Sequence, residues 1–169
     1  MRFEKVSLET FKKEMSRNGL AWMTEVEVEE AWEGIKLPER KTKGSAGYDF
    51  VLPVDVVVWA NSSVIIPSGI KVFFDEDEQD YHLELHVRSS TGIRRGCVLS
   101  NGTAIVDSDY YGNEDNEGCV LIALYNRDDY NKKFLKGERV MQGVFIKHRL
   151  IEGDRAEGKR TGGVGSSGK

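Results

Sequence analysis

Cysteine is scarce in this chain. Cys97 and Cys119 are the only two, and their separation is not a metal-binding spacing. They do not suggest a disulfide scaffold and read as small buried hydrophobes. Long hydrophobic runs are missing too. Nothing approaches the roughly 20 apolar residues of a membrane span, which excludes a membrane-spanning helix. The opening residues, MRFEKVSLETFKKEM, show no apolar secretory core, so a cytoplasmic protein is expected. A basic excess is also absent: the formal net charge is −4 and the pI is about 5.5. Binding along a nucleic-acid backbone needs a basic footprint, so no nucleic-acid partner and no membrane partner is expected. Proline is rare, with 3 residues against 18 glycines. Glycine at that density marks many turns, or backbone that closely approaches a ligand.

What remains is 169 residues and 19.0 kDa, enough for one domain with a real core. Ser7 is a plausible N-cap for a helix bearing Leu8, Phe11 and Met15 at helical spacing, ended by Asn18-Gly19. Residues 25–33 are ambiguous: Val26 and Val28 alternate with glutamates as in a strand, whereas Glu29-Glu30-Ala31-Trp32 favours helix. From Ile35 onward, short β-branched and aromatic runs at 54–59, 64–66, 70–74, 81–87, 119–125 and 140–146 are separated by turn clusters. That rhythm predicts an all-β sandwich or barrel. Period two in residues 81–87 puts Leu83, Leu85 and Val87 on one face and His82, Glu84 and His86 on the other. The acidic run at 75–80 reads as a solvated hairpin loop.

Four stretches fall outside the strand pattern. In Gly44-Ser45-Ala46-Gly47-Tyr48-Asp49, the carboxylate either faces a cleft or serves a turn. Arg88-Ser89-Ser90-Thr91-Gly92 combines a cation, hydroxyls and backbone N–H groups suited to oligophosphate, though a helix cap uses the same residues. In residues 101–112 (NGTAIVDSDYYG), two glycines bracket a short strand ending in carboxylates and tyrosines. A carboxylate there can act as general base for water, and a turn also uses Asp and Gly. The tail at 158–169 (GKRTGGVGSSGK) is either a disordered terminus or a glycine-rich phosphate clamp. His82 and His86 read as a solvated strand face rather than a zinc pair.

Taken in order, AGYD at 46–49, RSS at 88–90, NGTAIVDSDYYG at 101–112, RVMQGVF at 139–145 and RTGGVGSSG at 160–168 resemble the five motifs of the homotrimeric dUTPases. The resemblance implies a jelly-roll β subunit and a homotrimer with three shared active sites. The implied reaction converts dUTP and water to dUMP and pyrophosphate, with Mg²⁺ held mainly by the triphosphate. Asp107 matches the aspartate that binds the nucleophilic water and the sugar 3′-hydroxyl. Tyr110 matches the tyrosine under the deoxyribose. Asn101 and the backbone of Ile105, Val106 and Asp107 match a uracil-reading hairpin, and Leu121 a position giving backbone contacts there. Arg88, Ser89 and Ser90 match the phosphate-binding motif of a neighbouring subunit. Asp49 matches the carboxylate near the metal's water shell, and Gln142 the glutamine that helps place the water. Arg160 with Val164, Gly165, Ser166 and Ser167 matches a mobile arm that closes over the nucleotide.

The implied organisation is an N-terminal extension over 1–34, a β core over 35–150 and a glycine-rich arm over 151–169. Three departures stand out. Val164 occupies the place of a uracil-stacking aromatic, Ser90 replaces a glycine as in the related dCTP deaminases, and residues 113–118 (NEDNEG) look inserted. Those deaminases carry a glutamate on the strand after the third motif. Here residues 120–126 read VLIALYN, with no acid. The extension and the insertion also leave room for a nucleotide-gated protein that binds a protein partner.

Overall fold

The computed structural model describes residues 1–158, 160, 162 and 163. Eleven strands and two short helices are present among them. The strands are β1 (Arg2–Lys5), β2 (Tyr48–Val51), β3 (Val56–Val58), β4 (Ser63–Pro67), β5 (Ile70–Phe73), β6 (Tyr81–Val87), β7 (Cys97–Leu99), β8 (Ala104–Val106), β9 (Leu121–Asn126), β10 (Lys132–Phe134) and β11 (Arg139–Lys147). The helices are α1 (Leu8–Met15) and α2 (Glu25–Glu33).

The expected all-β, jelly-roll-like architecture is found. One sheet runs β2-β11-β6-β8 and a second β4-β9-β7, with two-stranded pairs β1-β5 and β10-β3. The ladders between these strands are antiparallel. Phe50, Leu83, Leu85 and Met141 of the first sheet share one buried cluster with Ile66, Ile122, Leu124 and Leu99 of the second. The alternation read in β6 holds, with Leu83 and Leu85 buried between more exposed neighbours. Cys97 and Cys119 are both buried and free.

In α1, the Ser7 hydroxyl accepts from the Thr10 N–H at 3.1 Å, and Phe11 and Met15 turn inward. The chain then turns through Gly19, whose φ of +82° suits glycine. The ambiguous segment 25–33 is helix. Thr24 and Glu27 form a reciprocal capping box, the Thr24 N–H donating to Glu27 at 2.8 Å and the Glu27 N–H to Thr24 at 3.3 Å. Val28 and Ala31, three apart, bury one face, while Val26 is left outside.

Two expectations are corrected. The acidic run does not close a hairpin: β5 pairs with β1 and β6 with β11 and β8, so residues 75–80 carry the chain between sheets. Likewise β7 and β8 do not pair with each other. β7 joins β9 and β8 joins β6, so residues 100–103 cross from one sheet to the other instead of closing a ladder. Asp107 therefore follows an edge strand rather than sitting on a hairpin tip.

Candidate active site

The crossing between sheets creates the first cleft. β8 ends one sheet and β7 the other, so unpaired backbone edges face the gap between them. The cavity there has a volume of about 450 Å³ and is lined by Asn101, Ile105, Val106, Tyr110, Leu121 and Arg160, among others. Ile105 is largely exposed, whereas Val106 and Tyr110 are buried. Asp107 stands in extended backbone at the start of a single 3-10 turn, Ser108–Tyr110. That turn swings Tyr110 back into the cleft. Burial raises the Tyr110 phenol above its ordinary value, against the opposing effect of a hydrogen bond from Asn116. The Asp107 carboxylate is half exposed and accepts from Arg160 Nη2 at 2.7 Å. Arg160 Nε also donates to Asp109 at 3.0 Å, and the guanidinium lies 5.3 Å from the Tyr110 ring centroid.

A second region gathers the other site residues. Asp49 on β2 and Gln142 on β11 are directly opposed, and His86 on β6 faces Gln142 from the other side. Arg88 follows β6, and its Nε lies 2.9 Å from Asp49 Oδ1. Arg139 Nη1 donates to Asp49 Oδ2 at 3.0 Å. Asp49 is thus a nearly buried carboxylate anchoring two arginines. Arg88, Ser89, Ser90 and Gln142 line one cavity of about 500 Å³, and Asp49, Arg88 and Gln142 line its neighbour of about 380 Å³. Gly47 lets Gln142 pack closely, since a Cβ on it would lie 2.6 Å from Gln142 Oε1 and push that amide aside.

Within one chain the two groups line separate cavities. Asn101, Ile105, Val106, Tyr110, Leu121 and Arg160, beside Asp107, form one group. Asp49, Arg88, Ser89, Ser90 and Gln142 form the other. Val164, Gly165, Ser166 and Ser167 lie outside the described residues. His82 and His86 do not converge: His82 Nδ1 is 3.3 Å from His148 Nδ1, and His86 lies 3.5 Å from Glu84. Sequence reading passed over Arg139 and Asp109 as contacts. Arg139 opens the RVMQ stretch and Asp109 is the second carboxylate of DSD, so both signals were within stretches already singled out.

Comparison with known proteins identifies the family. The dUTPase family model matches residues 33–168. The deoxyuridine 5′-triphosphate nucleotidohydrolase of Lactococcus lactis is 39% identical over 137 residues, 80% of this chain and 89% of that protein. The enzyme of the same name from Glaesserella parasuis is 32% identical over 140 residues, 79% of this chain and 87% of its own length. The crystal structure of dUTPase from Streptococcus mutans superposes with a TM-score of 0.69 at 30% identity, covering 90% of this chain and all of that one. With most of its length matched by the family model and by full-length relatives, this chain belongs to the dUTPase family.

Proposed function

We infer that this chain hydrolyses dUTP to dUMP and pyrophosphate, and that its two half-sites are completed by neighbouring copies in a homotrimer. One observation carries the reading. The carboxylate suited to activating water lies beside one cleft, paired with Arg160 of its lining, and the arginine–serine turn suited to phosphate lines another. Two copies placed side by side would supply both halves to one nucleotide.

In this reading the β7–β8 crossing takes the uracil. Asn101 and the backbone from Ile105 to Asp107, with Leu121, offer N–H and C=O groups to the base edge. Cytosine exchanges an acceptor for a donor and leaves a buried polar group unpaired, a penalty of about 1–3 kcal/mol. The Tyr110 ring packs under the deoxyribose and leaves no room for a 2′-hydroxyl. Asp107, with Gln142 of the neighbouring copy, holds a water in line with the α-phosphorus and takes its proton as the new P–O bond forms. The bond from the α-phosphorus to the bridging oxygen then breaks, and pyrophosphate leaves with that electron pair. Arg88, Ser89 and Ser90 receive the developing negative charge. Arg160 rests on Asp107 until the phosphates offer it a partner, which frees the carboxylate for the water. The arm carrying it would then exclude bulk solvent.

The donor set suits Mg²⁺ as a companion of the substrate. Among the described residues no cluster of three or more histidine, cysteine or acidic side chains could hold a metal ion. Asp49 has both oxygens on arginines, yet each keeps a lone pair for a water, so it would hold the ion through that shell. When bound, Mg²⁺ supplies charge neutralisation on the triphosphate.

Deaminase chemistry is not favoured, since β9 (LIALYN) carries no acid side chain. Two buried free thiols suit a reducing cytoplasmic location. No helix among the described residues is long and apolar enough to cross a membrane. A panel of dUTP, dCTP, dTTP and UTP with pyrophosphate detection tests the reading. Release from dUTP alone is the expected result, and equal turnover of UTP would contradict the role given to Tyr110.

A further inference from the structure

Residues 113–118 do not behave as a loose surface loop. Asn113 and Asn116 are buried, and their side chains are joined to one another and to Tyr110. Asn113 Nδ2 donates to the Tyr110 carbonyl at 2.8 Å and to Asn116 Oδ1 at 2.9 Å. Asn113 Oδ1 accepts from the N–H groups of Asp115 at 3.1 Å and Asn116 at 3.0 Å. Asn116 Oδ1 also accepts from the Gly118 N–H at 3.1 Å. Asn116 Nδ2 donates to the Tyr110 hydroxyl at 2.8 Å, and that hydroxyl donates to the Cys119 carbonyl at 3.2 Å. A buried polar network with its groups paired is rigid, because any movement strands a group without a partner. Gly118, at φ +87°, allows the approach, since a Cβ there would lie 2.6 Å from the Tyr110 carbonyl oxygen.

The outer side of the loop is tied to the N-terminal helix. Glu117 accepts from the Ser7 N–H at 3.2 Å, the Thr10 hydroxyl at 2.6 Å and Lys71 Nζ at 2.9 Å, and also from the Ser7 hydroxyl. Asp115 takes Arg17 Nη1 on both oxygens at 2.9 Å. Gly163 of the arm lies against the same loop: a Cβ on it would be 2.7 Å from Asp115 Oδ2 and 3.3 Å from Asn116 Nδ2.

We propose that residues 113–118 form a brace between the N-terminal helix and the sugar-facing tyrosine, with Asn116 as the positioning residue that fixes Tyr110 and so sets discrimination between deoxyribo- and ribonucleotides. The inference rests on the reading of Tyr110 given under Proposed function. Anchoring at the hydroxyl fixes the far end of the ring, and a ring free to tilt would open space for a 2′-hydroxyl. The Gly163 contact places the arm's approach on the same rigid surface.

The test measures kcat and KM for dUTP and UTP, with thermal unfolding alongside, in the native chain, Asn116→Ala and Asn116→Asp. The aspartate keeps the shape and the acceptor oxygen but replaces the donor to Tyr110 with a charged acceptor, which competes for the phenol proton that Tyr110 gives to the Cys119 carbonyl. Each variant is also made in a Tyr110→Phe background. The dUTP/UTP ratio of kcat/KM is expected to fall about tenfold in both variants, as for loss of one buried hydrogen bond. In the Tyr110→Phe background, the further change is expected to be much smaller. Should Asn116→Ala fail to fold, Asn116→Asp carries the test. An unchanged ratio in a folded variant, or an equal fall without the hydroxyl, overturns the proposal while leaving dUTP hydrolysis standing. A native chain inactive on dUTP would overturn both.

Discussion

Asp107 and Arg160 illustrate how little the type of a residue says about its state. A half-exposed aspartate with an arginine 2.7 Å away is common on protein surfaces and contributes little there. Its significance comes from place: the end of an edge strand, beside a cleft floored by Tyr110 and Val106. If Asp107 is the base, Asp107→Asn should lower kcat for dUTP by about 100- to 10,000-fold, the usual worth of general-base catalysis. Affinity for dUTP should stay within a few-fold, because the substitution leaves the base-reading backbone unchanged and the phosphate contacts lie elsewhere. Pyrophosphate release and equilibrium binding on the same preparation check both halves of that expectation. At this level the sequence singles out Asp107, Arg88 and Gln142 as candidates, because each belongs to a short motif of its own, and the structure adds where they sit: Arg88 and Gln142 lining one cavity, Asp107 paired with Arg160 beside another. The sequence was not readable where a role depends on a partner far along the chain. Arg139 reaches Asp49 across a strand pairing, and Asn116 reaches Tyr110 through a turn, so neither contact is encoded by spacing.

The helices and the 113–118 loop show the same division. Thr24 and Glu27 spell a capping box in the sequence, and attending to it would have settled the ambiguity of residues 25–33 in favour of helix. The alternation of Val26 and Val28 pointed to a strand only because each valine stood between glutamates. Strands β1, β7 and β10 escaped because three or four residues cannot display a period and no longer apolar run marks them as it marks β3. α1 is held by Phe11, which is completely buried, so Phe11→Ala should destabilise the protein by about 3–5 kcal/mol in chemical denaturation. Glu117 adds a pH dependence. Burial would raise its carboxyl, but hydrogen bonds from Ser7, Thr10 and Lys71 prevail and hold it at about 2, below the ordinary 4.5. A depressed value in the folded state means that this stabilisation is present above about pH 4.5 and is lost as pH falls towards about 2. Urea midpoints measured from about pH 6 down to about pH 3 should therefore fall less steeply in Glu117→Gln than in the native chain.

For the molecule entire, periodicity and turn signals were enough for an all-β reading, since a buried strand face must alternate. Connectivity was not. Whether the segment around residues 100–103 closes a hairpin or crosses between sheets depends on which distant strands compete for β7 and β8, and here β9 and β6 win. That crossing opens the cleft between two sheet edges that we propose reads the base. It also leaves Asp107 beside one cavity, on its Arg160 partner, while Arg88 and Gln142 line another, so a shared site requires more than one copy.

Mixed trimers test this most directly. Asp107→Asn and Arg88→Ala should each be inactive on dUTP as pure assemblies. Co-expressed and purified together, they should recover activity, because some sites pair the intact Asp107 of one copy with the intact Arg88 of its neighbour. Random assembly gives about one quarter of the native activity per site if each site draws these groups from two different subunits. A mixed preparation that contains both chains in one assembly and stays as inactive as either parent would contradict the shared site.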